Sequence, residues 1–160
     1  MKAEGTKLAL GSEHDYKTFP ELTNSQIQEF GFSSPHMQIT EDFVAIVVKV
    51  HDGDTITLET DFRDFKFPLR LAMIDAPEMN AGGQEAKDWL SGQILNQEIQ
   101  VKISRDNRVG KYGRLLGRVF FAGLDLGEAM MRMGMVVAFG QKNQGLPEPL
   151  DKIFSLQQWF

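Results

Sequence analysis

The sequence predicts a single α+β domain, a small β-barrel that carries helices. Three observations lead to this fold class. The chain has 160 residues, which is enough for one domain with a hydrophobic core and too short for two comfortable ones. Five short segments after residue 42 read as strands, and three others repeat apolar residues at helical spacing. Their order is three strands, a helix, two strands and two helices, which fits a barrel with attached helices and does not fit a βαβ arrangement.

The first forty residues are polar and only weakly patterned. We interpret residues 1–40 as an N-terminal arm beside a domain that comprises residues 41–160. Within the arm we expect one or two helical turns over residues 24–30, with Asn24 or Ser25 as the N-cap and Gly31 as the end. The arm is also the candidate region for binding a protein partner or a second copy of the chain.

Three predicted strands open the domain. Phe43–Val50 is a β-branched apolar run typical of a buried strand, and Thr55–Thr60 alternates apolar residues with threonines. The third strand, Phe65–Ile74, contains Pro68, which indicates an edge or a bulge. Its alternation places Arg70 on one face and leaves on the other Phe65, Phe67, Leu69, Leu71 and Met73.

The second half of the chain begins with a helix over Gln84–Leu95. Its apolar residues at helical spacing are Ala86, Trp89, Leu90 and Ile94. Two strands follow, Ile99–Ile103 and Leu115–Phe121, and then two helices, Leu124–Met133 and Pro147–Trp159.

Composition excludes several classes of protein. No cysteine is present, so disulfides and thiolate metal sites are ruled out. No apolar run is long enough to span a bilayer, and the N-terminal residues lack the apolar stretch of a secretory signal. We therefore expect no membrane association, and a location in the cytoplasm or within a larger assembly.

The charge distribution says more than the net charge of −5, which by itself argues against a nucleic-acid partner. Residues 41–100 carry 12 acidic and 5 basic side chains, whereas residues 101–160 carry 9 basic and 5 acidic ones. An acidic middle and a basic end can fold into one site, in which carboxylates hold a cation beside an arginine-rich wall. Chance is the other explanation of the same split.

Two acidic motifs are candidates for chemistry, HDGDT at residues 51–55 and IDAPE at residues 74–78. Each motif alone is more simply a polar turn, since Asp-Gly is the commonest hairpin signal. Together they differ, because Asp54 and Asp75 each lie at the end of a predicted strand, where a barrel rim can bring them together. Carboxylates suit a hard divalent cation such as Ca²⁺, and Mg²⁺ or Mn²⁺ would accept the same ligands. The three histidines are scattered, which disfavours zinc.

A basic stretch from Lys102 to Arg118 carries six basic residues against one acid. Solvated charges on a hairpin are the usual explanation of such a run. In the functional interpretation, the guanidinium group of Arg114 binds a phosphate, for which its fork of donors is suited. Arg70, five residues before Asp75 on the same predicted strand, would be the second guanidinium.

These motifs occur in a recognisable order. VKVHDGDTITL is followed by LRLAMIDAPE, GQEAKDWL, GKYGRLLGRV and LDLGEAMMRMG. In this order and approximate spacing they resemble the staphylococcal nuclease (thermonuclease) family over about residues 43–140. The resemblance implies an OB-fold, a five-stranded β-barrel with three helices. It also implies one bound Ca²⁺ and the hydrolysis of DNA, RNA or both to 3′-phosphate ends.

The resemblance further implies roles for individual residues. The calcium ligands would be the carboxylates of Asp54 and Asp75 and the backbone carbonyl of Ala76. Glu78 falls at the family's general base, and Arg70 and Arg114 fall at the arginines that bind the phosphate and stabilise the transition state. The residues implied to contact the nucleotide are Lys111 and Tyr112, and Asp52 would support the metal ligands.

One departure concerns the base-binding wall, where the family's best-known member has tyrosines. Here residues 135–140 are MVVAFG, so Phe139 is the candidate for stacking on a base, although a phenylalanine is more often a core residue. The alternative function is a weak or inactive module of the same fold that binds nucleic acid or serves as a structural subunit. Retention of the three acids and two arginines favours an enzyme.

Overall fold

The computed structural model describes residues 14–110 and 113–140. In these ranges the strands are β1 (Phe43–Asp52), β2 (Thr55–Thr60), β3 (Arg63–Leu71), β4 (Ile74–Asp75), β5 (Glu98–Lys102), β6 (Leu115–Phe121), β7 (Leu124–Asp125) and β8 (Val137–Ala138). The α-helices of the same ranges are α1 (Asn24–Phe30), α2 (Gly83–Ile94) and α3 (Leu126–Arg132). Short 3₁₀ helices span Gly31–Ser33 and Met79–Ala81.

Five of these strands close a barrel in the order β3-β2-β1-β5-β6. Neighbours in this order are antiparallel, and the barrel closes where β3 and β6 pair in parallel, Leu69–Leu71 against Leu115–Gly117. Closure leaves no free sheet edge between the first and last strands. The predicted α+β class, a five-stranded OB-fold barrel with three helices, is confirmed.

Alternating apolar side chains fill the barrel interior, as period-two patterning requires. The buried members on the first three strands include Val47, Ile56, Leu58, Phe67, Leu69 and Leu71. Helix α2 covers one end of the barrel with Ala86, Leu90 and Ile94, all fully buried, while Trp89 of the predicted helical face is only half-buried.

The third predicted strand was too long at its C-terminal end. Leu71 N–H donates to the Asp54 carbonyl (2.8 Å) and Ala72 N–H donates to the Gly117 carbonyl (2.9 Å). The chain then turns at Met73, whose φ is 74° and whose side chain is 67% exposed. The prediction that Met73 shares a strand face with Phe67, Leu69 and Leu71 is therefore wrong. The turn redirects the chain so that β4 leaves the barrel sheet and pairs with β8.

The N-cap of α1 differs from the prediction, which named Asn24 or Ser25. Thr23 is the N-cap: its hydroxyl accepts from Gln26 N–H (3.2 Å), and the Gln26 side chain accepts from Thr23 N–H (3.0 Å). This reciprocal pair is a capping box. Gly31 follows the helix as predicted.

Helix α3 begins two residues later than predicted. Leu124–Asp125 pairs with Phe120–Phe121 as strand β7, and the Asp125 side chain accepts from Glu128 N–H (3.2 Å) as the N-cap. The predicted helix Pro147–Trp159 lies outside the described residues.

Residues 14–40 pack on the barrel. Leu22 and Ile39 are buried, and Glu21 is buried between the guanidinium groups of Arg63 and Arg108. The division of the chain at residue 40, and an interaction of residues 1–40 with a partner or second copy, stay predictions. No helix within residues 14–110 and 113–140 is long and apolar enough to cross a membrane.

Candidate active site

The first acidic motif forms the two-residue turn between β1 and β2. A Cβ atom at Gly53 would lie 2.7 Å from Ala86 Cβ and 3.0 Å from Ala76 Cβ, closer than carbon atoms pack. Glycine therefore lets the turn rest directly against α2. The residues form a hairpin turn, as the simpler interpretation predicted, and that turn places Asp54 at the barrel rim.

Hydrogen bonds hold Asp54 both at its carboxylate and at its backbone N–H. Its Oδ2 accepts from Ala76 N–H (2.8 Å), and its Oδ1 accepts from the Thr55 hydroxyl (3.0 Å). Its own N–H donates to Asp52 Oδ1 (3.0 Å). Asp52 thus holds the backbone of Asp54 in place.

The surroundings shift the pKa values of Asp52 and Asp54 in opposite directions. Burial raises the pKa of Asp52, and a hydrogen bond with the Asp54 side chain raises it further. Burial also works to raise the pKa of Asp54, but hydrogen bonds from Asp52 and Ala76 and the charge of Arg70 outweigh it, so the pKa of Asp54 lies below its usual value. As the pH falls, Asp52 is therefore protonated before Asp54.

Arg70 joins the two acidic motifs. Its Nη2 pairs with Asp54 Oδ2 (3.4 Å) and also with Asp75 Oδ1. The other oxygen of Asp75 accepts from Gly140 N–H (2.9 Å), which ties the β4 carboxylate to the segment after β8. The structure therefore brings together the two predicted metal-ligand carboxylates and one predicted phosphate-binding arginine.

Phe139 stands beside this cluster. Its side chain is 68% exposed, and Arg70 Cζ lies 5.3 Å from the centre of its ring. Its N–H donates to the Met73 carbonyl (2.9 Å), which holds it at the turn before β4. The expectation that a phenylalanine here is a core residue is wrong, and the ring presents an open face at the rim.

Arg114, which directly precedes β6, also lies at this rim. Its Nη1 lies 3.4 Å from Thr55 Oγ1, and Thr55 is paired across the sheet with Arg70. The hydroxyl of Thr55 also donates to Asp54, so one threonine contacts both an acid and an arginine of the cluster. Sequence reasoning missed Thr55 as a site residue, although its place directly after Asp54 in the DGDT motif was the available clue.

Glu78 lies on the loop after β4 and is exposed. Its backbone carbonyl accepts from Gly83 N–H (2.9 Å) at the start of α2, which fixes the loop close to the acidic turn. The remaining predicted substrate contacts, Lys111 and Tyr112, lie outside the described residues.

The donor atoms at the rim suit a hard divalent cation. Asp54 and Asp75 converge on one guanidinium nitrogen, so a single positive charge already meets both carboxylates. Counting Asp52 and Arg114 as well, three carboxylates meet two guanidinium groups, and the remaining negative charge attracts a cation. Among residues 14–110 and 113–140 no group of three His, Cys, Asp or Glu side chains could hold a metal ion. Two carboxylates and a backbone carbonyl would leave coordination positions for water and a phosphate oxygen.

A family model described as a staphylococcal nuclease homologue matches residues 68–158, more than half of the chain. The matched residues include Arg70, Asp75, Glu78 and Arg114, whereas Asp54 precedes them.

Several curated relatives carry endonuclease names, whereas one from Bacillus anthracis is named only as an uncharacterized protein. A protein of Haemophilus influenzae named "Uncharacterized endonuclease" is 35% identical over 96 residues, which cover 59% of this chain and 52% of that protein. A "Probable endonuclease" of Aspergillus niger is 27% identical over 103 residues, 54% of this chain and 36% of its own length. Another of that name, from Leptosphaeria maculans, is 31% identical over 86 residues, 47% of this chain and 28% of its own length. The chain spans about half the length, or less, of these relatives.

Proposed function

The chain belongs to the staphylococcal nuclease family, and we propose that it is a calcium-dependent nuclease that hydrolyses phosphodiester bonds of DNA, RNA or both. The observation that supports this proposal best is the convergence of Asp54 and Asp75 on Arg70, with Arg114 at the same rim through Thr55. Each of these residues is more simply a turn or surface charge when taken alone, and their meeting at one end of the barrel is not required by the fold.

In the proposed site, Asp54, Asp75 and the carbonyl oxygen of Ala76 would hold Ca²⁺. When bound, the ion supplies positive charge to the phosphate and a fixed place for water. The donors are of the right kind, since all are oxygen atoms and the low pKa of Asp54 keeps its carboxylate ionised. Asp52 contributes by accepting the Asp54 N–H and holding the turn in place.

Glu78 is proposed as the general base. Its carboxylate takes a proton from the attacking water, the new P–O bond forms, and the bond from phosphorus to the 5′ oxygen breaks. The 5′ oxygen leaves with a proton from solvent, and the phosphate stays on the 3′ side. This polarity of cleavage gives the 3′-phosphate ends.

Arg70 and Arg114 are proposed to bind the non-bridging phosphate oxygens. Charge on these oxygens grows in the transition state, and guanidinium groups fixed in advance stabilise it without reorganisation. Arg70 is fixed by its two carboxylate partners and Arg114 is placed beside Thr55.

Substrate binding is proposed for Phe139, Lys111 and Tyr112. The exposed ring of Phe139 offers a flat apolar face next to Arg70, a combination on which a nucleic-acid base can stack. A stacked base at this position would lie directly beside the phosphate that the arginines hold.

The test is cleavage of plasmid and single-stranded DNA by the full chain, in Ca²⁺ and then in chelator. We expect Glu78→Gln and Arg114→Ala each to lower kcat by roughly 10²–10⁴. Matched controls are Glu98→Gln on β5 and Arg105→Ala on the loop after it, which change exposed side chains of the same types. Products should be extended by a DNA polymerase only after phosphatase treatment, as a 3′-phosphate requires.

The same assay can refute the enzyme proposal. If the unaltered protein is as inert as Glu78→Gln, and Ca²⁺ does not raise its Tm, the enzyme proposal is wrong. Binding of DNA without cleavage under those conditions would assign the chain to the alternative, a non-catalytic nucleic-acid-binding module.

A further inference from the structure

Arg114 is carried by a hairpin whose described residues are 108–110 and 113–116, and which we name the arginine hairpin. Gly110 N–H donates to the Arg114 carbonyl (2.8 Å), and Leu116 N–H donates to the Arg108 carbonyl (2.7 Å). Between these bonds, Gly113 N–H donates back to the Gly110 carbonyl (2.9 Å). The position of the Arg114 guanidinium therefore depends on what holds this hairpin.

The base of the arginine hairpin is held by residues 14–40. Arg108 is 3% exposed and its side chain makes every described hydrogen bond to that segment. Its Nη1 donates to the Leu22 carbonyl (2.7 Å), its Nε to the Ile39 carbonyl (2.8 Å), and its Nη2 to Glu21 Oε1 (3.1 Å). A guanidinium group buried in this way accepts little displacement, because any movement leaves charged donors without acceptors.

Glu21 also ties the hairpin to the barrel. Its second oxygen accepts from Arg63 on β3, the strand that carries Arg70. The Arg63 guanidinium is held in turn by the Met37 carbonyl (2.8 Å) and by the faces of two aromatic rings. The buried carboxylate of Glu21 thus connects residues 14–40 with the arginine hairpin and with β3, the strand that carries Arg70.

The far end of the hairpin is covered by Phe19. A Cβ atom at Gly113 would lie 2.5 Å from Phe19 Cδ1, so the ring rests on the backbone of the residue directly before Arg114. Gly113 has φ 79°, a conformation suited to glycine. The Phe19 carbonyl is itself hydrogen-bonded to His14 Nε2 (2.7 Å), which fixes the backbone that carries the ring.

We propose that residues 14–40 position Arg114 for phosphate binding, through Phe19 packed on Gly113 and Arg108 anchored on Glu21. The inference rests on the proposed function, in which Arg114 touches the substrate. Phe19 and Arg108 are positioning residues that act through Arg114. Residues 14–40 therefore contribute to nuclease activity through the position of Arg114.

The test uses Phe19→Ala, because Phe19 is only half-buried and its removal leaves the buried ion pairs intact. A misplacement of about 1 Å at a catalytic group costs on the order of 10²-fold in rate, so we expect kcat to fall about ten- to a hundredfold with KM less affected. The matched control is Phe32→Ala, which makes the same change at a fully exposed phenylalanine of the same segment.

A double-variant cycle separates positioning from general destabilisation. In an Arg114→Lys background, Phe19→Ala should change kcat less than twofold, because the group it positions is already altered. A second measurement does not depend on activity. Hydrogen exchange at the amides of Gly110 and Leu116 should speed up at least tenfold in Phe19→Ala and stay unchanged in Phe32→Ala.

Three outcomes would overturn the inference. They are full activity of Phe19→Ala, an equal loss in Phe19→Ala and Phe32→Ala, or a loss of the same size in the Arg114→Lys background. An inactive unaltered protein, or an Arg114→Lys variant as active as the unaltered one, would instead refute the proposed function. In that case the exchange rates at Gly110 and Leu116 still decide whether residues 14–40 hold the hairpin.

Discussion

The contact between Gly53 and α2 allows a quantitative prediction for Gly53→Ala. The new methyl carbon would lie 2.7 Å from Ala86 Cβ and 3.0 Å from Ala76 Cβ, against about 3.5–4.0 Å for carbon atoms in contact. Neither methyl group can rotate away, so the turn or the helix must shift. Overpacking of this kind costs about 1–3 kcal/mol. For a chain of this length each kcal/mol lowers Tm by roughly 2–4 °C.

The measurement is thermal unfolding together with the cleavage assay. Because Gly53 directly precedes Asp54, the shift also moves the carboxylate, and we expect cleavage to fall with the Tm. Gly92→Ala is the matched control: the same change is made within α2, where a Cβ atom meets nothing within 4 Å. That control should gain up to about 1 kcal/mol from helix propensity and leave cleavage unchanged.

Ala86→Gly is the rescue. Alone it should cost about 1 kcal/mol as a glycine inside a helix. Combined with Gly53→Ala, it removes the 2.7 Å contact, so the pair should be more stable than the two separate losses predict, by about 1 kcal/mol or more. Additive losses, or a Gly53→Ala variant with an unchanged Tm, would refute the steric reasoning.

Three further predictions follow from buried or capped groups. Glu21→Gln should lower the free energy of unfolding, measured in urea, by about 3–5 kcal/mol, since it leaves two buried guanidinium groups without a counter-charge. Asp52→Asn should raise Tm at pH 7 more than at pH 3.5. Because the pKa of Asp52 is raised in the folded state, the folded state binds more protons than the unfolded state once the pH exceeds the usual value of 3.8. Ionised Asp52 therefore lowers the stability at pH 7, and asparagine, which does not ionise, removes that loss. Thr23→Ala should cost about 1 kcal/mol in the same urea titration through loss of the capping box.

Each of these can fail in a definite way. A Glu21→Gln loss below about 1 kcal/mol would mean that the buried charges find other partners or water. An equal Tm change at both pH values would contradict the direction given for the Asp52 pKa. An unaltered unfolding curve for Thr23→Ala would show that α1 is held by packing alone.

Local patterns were enough to predict most of the barrel. Alternating residues at 55–60 and 115–121 gave strands with the observed bounds, because period-two burial depends only on which neighbours are apolar. The third strand was extended past Leu71 because Met73 continues the alternation. The backbone turns there to pair β4 with β8, a partner more than sixty residues away that no local window contains.

The order of the acidic and basic motifs was enough to recognise them, but the sequence did not predict which of their side chains contact one another. Asp54 and Asp75 were predicted at strand ends, and the structure brings both to Arg70. Their assignment as calcium ligands stays a proposal. The exposure of Phe139 could not be read from the sequence, because an isolated aromatic residue has no periodic context that distinguishes core from surface.

By itself the sequence determined the barrel strands, the position of α2 and the set of candidate acids and arginines, since these depend on residue type and short-range spacing. Only the tertiary structure decided that residues 14–40 pack on the barrel. Glu21 pairs with Arg63 and Arg108, which follow it by 42 and 87 residues. The physical reason is that three charged side chains look solvated along the chain, and become a buried ion-pair network only when the folded barrel removes water from all of them.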